Sequence, residues 1–199
     1  MPITLPSSPG LRTAKPRLID WGGRLTPILG GPVQSPMRLG TRFSLEFTLP
    51  PMPSDPDGRM WAARLAQAKL SGVVAPFIQD GFTPGSPGAP VADGANQSGM
   101  ALAIRGGLSG YRFREGQFFS LVHAGRRYLH MVTARVDVGS DGKATLPILP
   151  MLRVLTSDAD VLEVAKPQIQ GSLIGDELAW DVMTEPFTDV GAIRIDEDE

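Results

Sequence analysis

The sequence predicts an α+β protein that is mainly β, in which a sheet domain with one helix is interrupted by a small inserted β-barrel or sandwich. Residues 111–154 alternate short apolar runs with the glycine turns Glu115-Gly116, Ala124-Gly125 and Ser140-Asp141-Gly142. The first two turns have the spacing typical of a small barrel or sandwich, and the wider gap before the third leaves room for a longer strand. Residues 42–49 alternate apolar and polar side chains, which indicates a strand with one buried face. Residues 57–70 have the composition of a helix.

The sequence of the N-terminal part predicts an extended arm followed by strands. The first 17 residues contain four prolines and little periodicity, so we expect an extended arm. The pattern Leu18-Ile-Asp-Trp predicts a first strand, which Trp21-Gly22-Gly23 ends. In the clearest strand, Arg42–Leu49, the alternation places four apolar side chains on one buried face: Phe43, Leu45, Phe47 and Leu49.

A helix and a long loop are expected next. The prolines of residues 50–53 end the strand, and Ser54 or Asp55 can cap the helix that follows. Trp61, Leu65 and Ala68 form its apolar stripe, and Gly72 is a stop signal. Residues 73–78 predict another strand, and the glycine- and proline-rich residues 80–99 predict a long loop.

The second half of the chain predicts further strands at residues 100–105, 146–149, 152–155, 161–164, 168–173, 178–182 and 191–195. Because Pro147 and Pro150 cannot donate to a ladder, we expect their segments at edges or bends. Residues 161–164 and 168–173 are expected to return the chain to the first domain. The predicted organisation is therefore an arm (residues 1–17), a domain of residues 18–77 and 170–199, and an inserted β-rich domain of residues 78–169.

Composition restricts the function classes. The chain has no cysteine, which excludes disulfides, thiol nucleophiles and zinc–thiolate sites. No run approaches the roughly 18 apolar residues of a membrane helix, and the first residues lack the apolar core of a secretory signal. We therefore expect no membrane partner, and maturation in the cytoplasm.

The net charge of −2 is unevenly distributed. Residues 1–45 carry six basic residues and Asp20, which gives +5, whereas residues 181–199 carry seven acidic residues and Arg194, which gives −6. One interpretation is a pair of solvated termini. The other is a pair of surfaces of opposite sign that favours head-to-tail contact between copies.

Histidines are candidates for a metal pair or an acid–base couple. His123 and His130 are seven residues apart, with a predicted turn between them. The nearest carboxylates in the sequence, Glu115 and Asp137, complete neither a ligand set nor a hydrogen bond that would orient an imidazole. We therefore favour satisfied or surface histidines on a hairpin.

Three other patterns are interpreted as turns. The Ser140-Asp-Gly-Lys143 pattern lies in a predicted hairpin instead of opening a helix, and Asp141-Gly142 fits a hairpin turn better than a calcium loop. The glycines of residues 81–88 lack the Gly-Lys-Ser/Thr ending of a phosphate loop. We predict no catalytic, cofactor-binding or metal-binding residue, and no enzyme.

Aromatic and basic residues offer weaker candidates for binding. Trp21, Trp61 and Trp180 form a sugar-stacking platform or belong to the core, and core packing is favoured for Trp61 because Leu65 shares its helix face. Arg126-Arg127 beside Tyr128 is a basic-aromatic cluster with a weak attraction for nucleic acid or an anionic glycan.

Several segments resemble the distal tail proteins of long-tailed bacteriophages, which are structural proteins of the baseplate. The resemblance extends over most of residues 18–173. It is carried by Leu18-Ile-Asp-Trp-Gly-Gly, by Arg42-Phe-Ser-Leu-Glu-Phe with the proline break and the Trp61 helix, by Gly94-Ala-Asn-Gln-Ser-Gly, by Glu115-Gly-Gln-Phe-Phe-Ser, by Gly125-Arg-Arg-Tyr-Leu-His, and by Ala144-Thr-Leu-Pro-Ile-Leu-Pro.

This resemblance implies a belt-like β-sandwich formed by residues 18–77 with 170–199. Copies of the chain are expected to form a homo-oligomeric ring of six around the end of the tail tube. The implied partners are other copies of the chain, the tail tube protein, and hub and fibre proteins met by the inserted domain. Phage DNA passes through the lumen without specific binding, and we expect Asp196–Glu199 beside that channel because like charge prevents sticking. The implied location is the virion tail, assembled in the host cytoplasm.

One feature departs from the family. Distal tail proteins often carry the accessory domain after the belt, whereas this chain returns to it. The alternative functions are a carbohydrate-binding module that contacts the host surface, and another tail or head–tail connector component. A hydrolase would need a triad or a carboxylate pair brought together by the fold.

Overall fold

The fold is described from a computed structural model, for residues 1–23, 25–28, 30–33, 38–79, 81–182 and 187–198. Within these ranges there is one α-helix, α1 (Arg59–Ser71), preceded by a single wide helical turn (Ser54–Gly58). The strands are β1 (Ile3–Thr4), β2 (Thr13–Ile19), β3 (Arg42–Thr48), β4 (Met52–Pro53), β5 (Val73–Pro76), β6 (Gly88–Ala92), β7 (Gly99–Gly107), β8 (Arg112–Phe113), β9 (Phe118–His123), β10 (Arg126–Val132), β11 (Val136–Asp137), β12 (Ala144–Leu152), β13 (Val161–Glu163), β14 (Gln168–Leu173), β15 (Asp181–Val182), β16 (Phe187–Asp189) and β17 (Ala192–Glu197).

Two β-structures dominate the molecule. The main sheet has the order β1-β5-β14-β17-β3-β2, with β1 parallel to β5 and the other neighbours antiparallel. The strands β10-β12-β7-β6-β13-β9 form a closed barrel. β8 pairs with β11, and β15, β16 and β4 form a small third sheet. The predicted fold class, mainly β with one helix and a barrel, is confirmed.

The centre of the main sheet follows the predicted alternation. The four apolar side chains of residues 43–49 are buried, as are Trp61, Leu65 and Ala68 of α1. Ser44, expected on the polar face, is also buried, and its hydroxyl donates to Asp196 of β17 at 2.6 Å. Gly72, with φ 83°, ends α1 and donates its N–H to the carbonyl of Ala68, as the stop signal predicted.

The N-terminal residues are extended, as expected, but they belong to the main sheet. β1 pairs with β5, and β2 starts at Thr13, five residues before the predicted first strand at Leu18. Pro16 is tolerated inside β2 because this strand is outermost in the sheet and pairs with β3 alone. Between the two strands, the carbonyl of Ser8 accepts a hydrogen bond from the indole of Trp61 at 3.1 Å.

In the barrel, the Ala124-Gly125 turn joins the paired strands β9 and β10, as predicted. The other two glycine turns do not join strands that pair with each other, since Glu115-Gly116 lies between β8 and β9 and residues 140–142 lie between β11 and β12. Two expectations about proline-rich segments also need correction. The predicted loop of residues 80–99 contains β6, which is a strand because Val91 pairs with Arg105 of β7. The prolines of β12 do not mark an edge, since β12 pairs with both β7 and β10. They occur where the register shifts between Pro147 and Leu152, so the bend alternative was right.

The β9–β10 hairpin is the wall that the barrel shares with the main sheet. Tyr128 and Val132 pack inside the barrel, whereas Leu129, between them in the sequence, packs into the core of the main sheet. Phe118 contacts the same core, with its ring centroid 5.1 Å from that of Phe43. Both faces of the hairpin are therefore buried.

Glu197 is a buried carboxylate at this contact. It is 1% exposed and accepts the backbone N–H groups of Phe43 (3.3 Å) and Leu129 (2.7 Å), while Nη2 of Arg153 lies 2.5 Å from its Oε1. The β3–β17 ladder ends at Ser44 and the β10–β12 ladder ends at Met131, so both amides lie just beyond a ladder. The carboxylate takes the place of the missing ladder partners.

Removal of Glu197 is expected to destabilise the protein strongly. In Glu197→Ala the guanidinium of Arg153 stays buried without its counter-ion, which should lower the free energy of unfolding by about 3–5 kcal/mol. Urea unfolding followed by tryptophan fluorescence measures this. The control is Asp137→Ala, which removes exposed ion pairs with Arg112 and Arg135 and should change the midpoint little. An unchanged midpoint in Glu197→Ala would contradict the role of this carboxylate.

Candidate assembly surface

The two histidines do not form a joint site. His123 pairs with Arg126 at the hairpin turn, whereas His130 pairs with Phe119, which places the two histidines about 13 Å apart along β10. Nδ1 of His123 lies 2.8 Å from Oδ2 of Asp160. This partner was missed by the sequence analysis because it is 37 residues away.

His130 is a core residue of the barrel. It is fully buried, its ring stacks on Phe119 with centroids 5.7 Å apart, and its Nδ1 lies 2.9 Å from the carbonyl oxygen of Pro150. Nε2 has no hydrogen-bond partner among the described residues. The interpretation of His130 as a satisfied core histidine is therefore right for one ring nitrogen.

The turn-like patterns behave as turns. Gly142 has φ 74° and donates its N–H to Gly139, and Oδ1 of Asp141 accepts the N–H of Lys143 at 3.1 Å. Nζ of Lys143 pairs with Asp93 at 2.8 Å, which explains the lysine without catalysis. Across the described ranges, no group of three or more His, Asp and Glu residues has the geometry to hold a metal ion.

The aromatic and basic candidates are also dispersed. Trp61 is buried, as predicted, whereas Trp21 and Trp180 are 53% and 43% exposed. Arg127 makes a bidentate ion pair with Glu163 at 2.8 and 2.9 Å, and Arg126 lies over the ring of the buried Tyr128. The arginine pair is therefore partly neutralised within the barrel.

The acidic C-terminal residues are partly internal. Glu197 is buried, and Asp196 pairs with Arg194 at 2.8 Å and accepts from Ser44. Glu199 lies outside the described residues. The expectation that Asp196–Glu199 lie beside a channel is wrong for Glu197, because its carboxylate faces the contact between the main sheet and the barrel.

A segment with exposed apolar side chains connects β2 to β3. This segment, residues 20–41, is called the β2–β3 excursion below, and it leaves the main sheet at the Ile19–Arg42 pair. At its base Oδ1 of Asp20 accepts from Gly22 (2.7 Å) and Thr41 (3.0 Å). The large apolar side chains described in it are all exposed: Trp21, Leu25, Ile28, Val33 and Leu39.

The apolar area of this excursion is large for the surface of a monomer. Together with the neighbouring Leu18, its exposed side chains present on the order of 700 Å² of apolar surface, estimated from their exposed fractions. This is above the roughly 300–600 Å² of the largest patch on a typical monomer. It is close to the roughly 800 Å² that each partner contributes to a standard interface.

The outermost strand β2 extends the same surface. β2 pairs with β3 alone, so its other edge has no ladder partner within the described part of the chain, and a free edge is a template for pairing. A groove of about 350 Å³ lies between β2 and the barrel, with an apolar lining that includes Ala14, Pro16, Ile78, Phe82 and Phe118. The excursion, the β2 edge and this groove are the candidate assembly surface.

Comparisons with known proteins do not assign the chain to a family. No family model matches the chain, and a search of curated proteins finds no match. Among the described residues, no helix is both long and apolar enough to span a membrane.

The burial of His130 predicts an acid-sensitive stability. Desolvation lowers the pKa of His130 to about 3 from the usual 6.5; the carbonyl of Pro150 opposes this shift and the charge of Arg153 adds to it. Because His130 binds a proton more tightly in the unfolded chain than in the folded protein, the free energy of unfolding falls as the pH decreases from 6.5 towards 3. Between pH 7 and pH 5 the fall from this group should be about 2 kcal/mol.

Urea unfolding at pH 7 and pH 5 measures this fall. The variant His130→Phe should lose most of the difference between the two pH values, whereas His123→Phe, which changes the other histidine, should keep it. A His130→Phe protein with the full pH dependence would show that another group is responsible.

Proposed function

We propose that this chain is a structural subunit of a bacteriophage tail tip, and that it assembles with copies of itself into a ring that joins the tail tube to the hub and fibres. It performs no enzymatic step. The observation that supports assembly is the exposed apolar β2–β3 excursion beside the free edge of β2, because large exposed apolar patches mark interaction sites. The assignment to a phage tail rests on the sequence resemblance described above.

The main sheet is the ring-forming part in this proposal. It carries the assembly surface, whereas the barrel is closed and so offers no free strand edge within its six-stranded ring. The barrel surface has polar ion pairs, including Arg105 with Asp158 and Lys143 with Asp93. Such a surface suits contacts with the hub, the fibres or the host, and the lumen of the ring passes DNA without specific binding.

The carbohydrate-binding alternative has less support. Recognition of sugars by stacking needs exposed aromatic rings. In the described part of the barrel Phe113, Phe119 and Tyr128 are buried, and Tyr111 and Phe118 are half-buried. The exposed Trp21 and Trp180 lie outside the barrel strands.

The proposal predicts that the purified full-length chain forms discrete annuli. Negative-stain electron microscopy shows their shape, and mass photometry counts the copies, which we expect to be six. A chain that stays monomeric at all accessible concentrations would contradict the proposal.

Loss of apolar side chains from the excursion should weaken assembly without unfolding the subunit. In Trp21→Ser combined with Ile28→Ser, the concentration at half-assembly should rise at least about tenfold. The free energy of unfolding should change little, since both side chains are exposed. The matched control, Met100→Ser combined with Leu155→Ser, removes two exposed apolar side chains of the inserted unit and should assemble like the parent.

A further inference from the structure

A second segment with exposed side chains joins β14 to β17. This segment, residues 174–191, is called the acidic connection because it contains five acidic residues and neither lysine nor arginine. Asp176, Glu177 and Asp181 are exposed. Exposed apolar side chains lie among them in the sequence, namely Ile174, Trp180 and Phe187. The strand predicted at residues 178–182 is reduced here to β15, which pairs with β16.

The acidic connection and the β2–β3 excursion leave the main sheet at opposite ends. The excursion ends at Arg42, the first residue of β3, whereas the acidic connection ends beside Ala192, which pairs with Thr48, the last residue of β3. The seven residues of β3 span about 20 Å. The two segments therefore start from places that are too far apart for their bases to contact each other within one subunit.

The two surfaces are complementary in charge. The excursion, residues 20–41, contains Arg24, Arg38 and Asp20, which gives +1, against −5 for the acidic connection. Both combine charged residues with exposed apolar ones. Opposite potentials orient two surfaces, and the apolar side chains supply buried area when they meet.

We propose that the β2–β3 excursion of one copy docks on the acidic connection of the next copy, head to tail. This inference rests on the proposed ring and names the two surfaces that form each contact. Trp21 and Ile28 of one copy pack against Trp180 and Phe187 of the next, and Arg38 lies near the exposed carboxylates of the connection. Because two different surfaces meet, the contact is heterologous, and a suitable rotation between copies closes it into a ring.

Exchange of charges between the two surfaces tests the contact. The excursion variant, Thr26→Glu with Arg38→Glu, gives both surfaces a negative charge. The connection variant, Asp176→Lys with Glu177→Lys and Asp181→Lys, changes the connection from −5 to +1 and so gives both a positive charge. All five side chains belong to exposed residues, so near-parent melting temperatures verify that the subunits are folded.

Each variant alone should assemble at concentrations at least about tenfold higher than the parent, because like charges then face each other. An equimolar mixture of the two variants should assemble as rings in which they alternate. A single chain with all five substitutions should also recover assembly. Mass photometry measures each case, and Arg64→Glu with Gln67→Glu, on the exposed face of α1, is the control with the same change in charge as the excursion variant.

The outcomes separate this inference from the proposed function. If the parent forms rings and the two variants assemble as well as the control, the head-to-tail contact is overturned while the ring stands. If each variant fails but neither the mixture nor the five-substitution chain recovers, the two surfaces do not meet each other, and the head-to-tail contact is overturned. A parent that remains monomeric at about 100 µM, far above the usual concentration range of specific complexes, overturns both proposals.

Discussion

The ion pair between Glu197 and Arg153 satisfies the groups left without partners where the main sheet meets the barrel. The amides of Phe43 and Leu129 lie beyond the ends of two ladders, and in the buried contact they need an acceptor. Burial raises the pKa of Glu197, while Arg153 and the two amides act in the opposite direction. A buried pair of this kind adds less net stability than its geometry suggests, because both charges lose water. The main effect of the pair is to fix the orientation of the barrel on the main sheet, since the carboxylate satisfies these amides only in one orientation.

The elements predicted well from the sequence are those whose evidence is local. The alternation in β3 and the apolar stripe of α1 are set by residues two to seven positions apart, and the structure buries the same side chains. β6 was missed because glycine and proline hide its pattern, and it becomes a strand through pairing with β7 and β13. The burial of Glu197 was not predicted for a similar reason. Its partner Arg153 is 44 positions away in the sequence, and no local pattern indicates the pair.

The assembly surface was only half predictable. The opposite charges of the two chain ends can be counted in the sequence, and they led to head-to-tail contact as one interpretation. The exposure of Trp21, Ile28 and Trp180 could not be predicted, because an apolar side chain in a glycine-rich segment has the same sequence pattern whether it is buried or exposed. The structure also removes Asp196 and Glu197 from the available charge, since both are paired within the subunit. The acidic surface therefore lies in residues 174–191 instead of at the end of the chain.

The connection between the two β-structures explains how the main sheet accommodates a barrel within its sequence. The chain leaves the main sheet after Pro76 and returns at Gln168, and these two residues pair across β5 and β14. The ends of the inserted segment are therefore adjacent, which is the condition under which a domain can be inserted without changing the order of the host strands. The excursion joins β2 to β3 and the acidic connection joins β14 to β17, so neither contains this junction. Changes in these two segments and changes in the barrel can therefore be made separately, except at Leu129 and Arg153, where any replacement barrel has to supply an amide and a cation for Glu197.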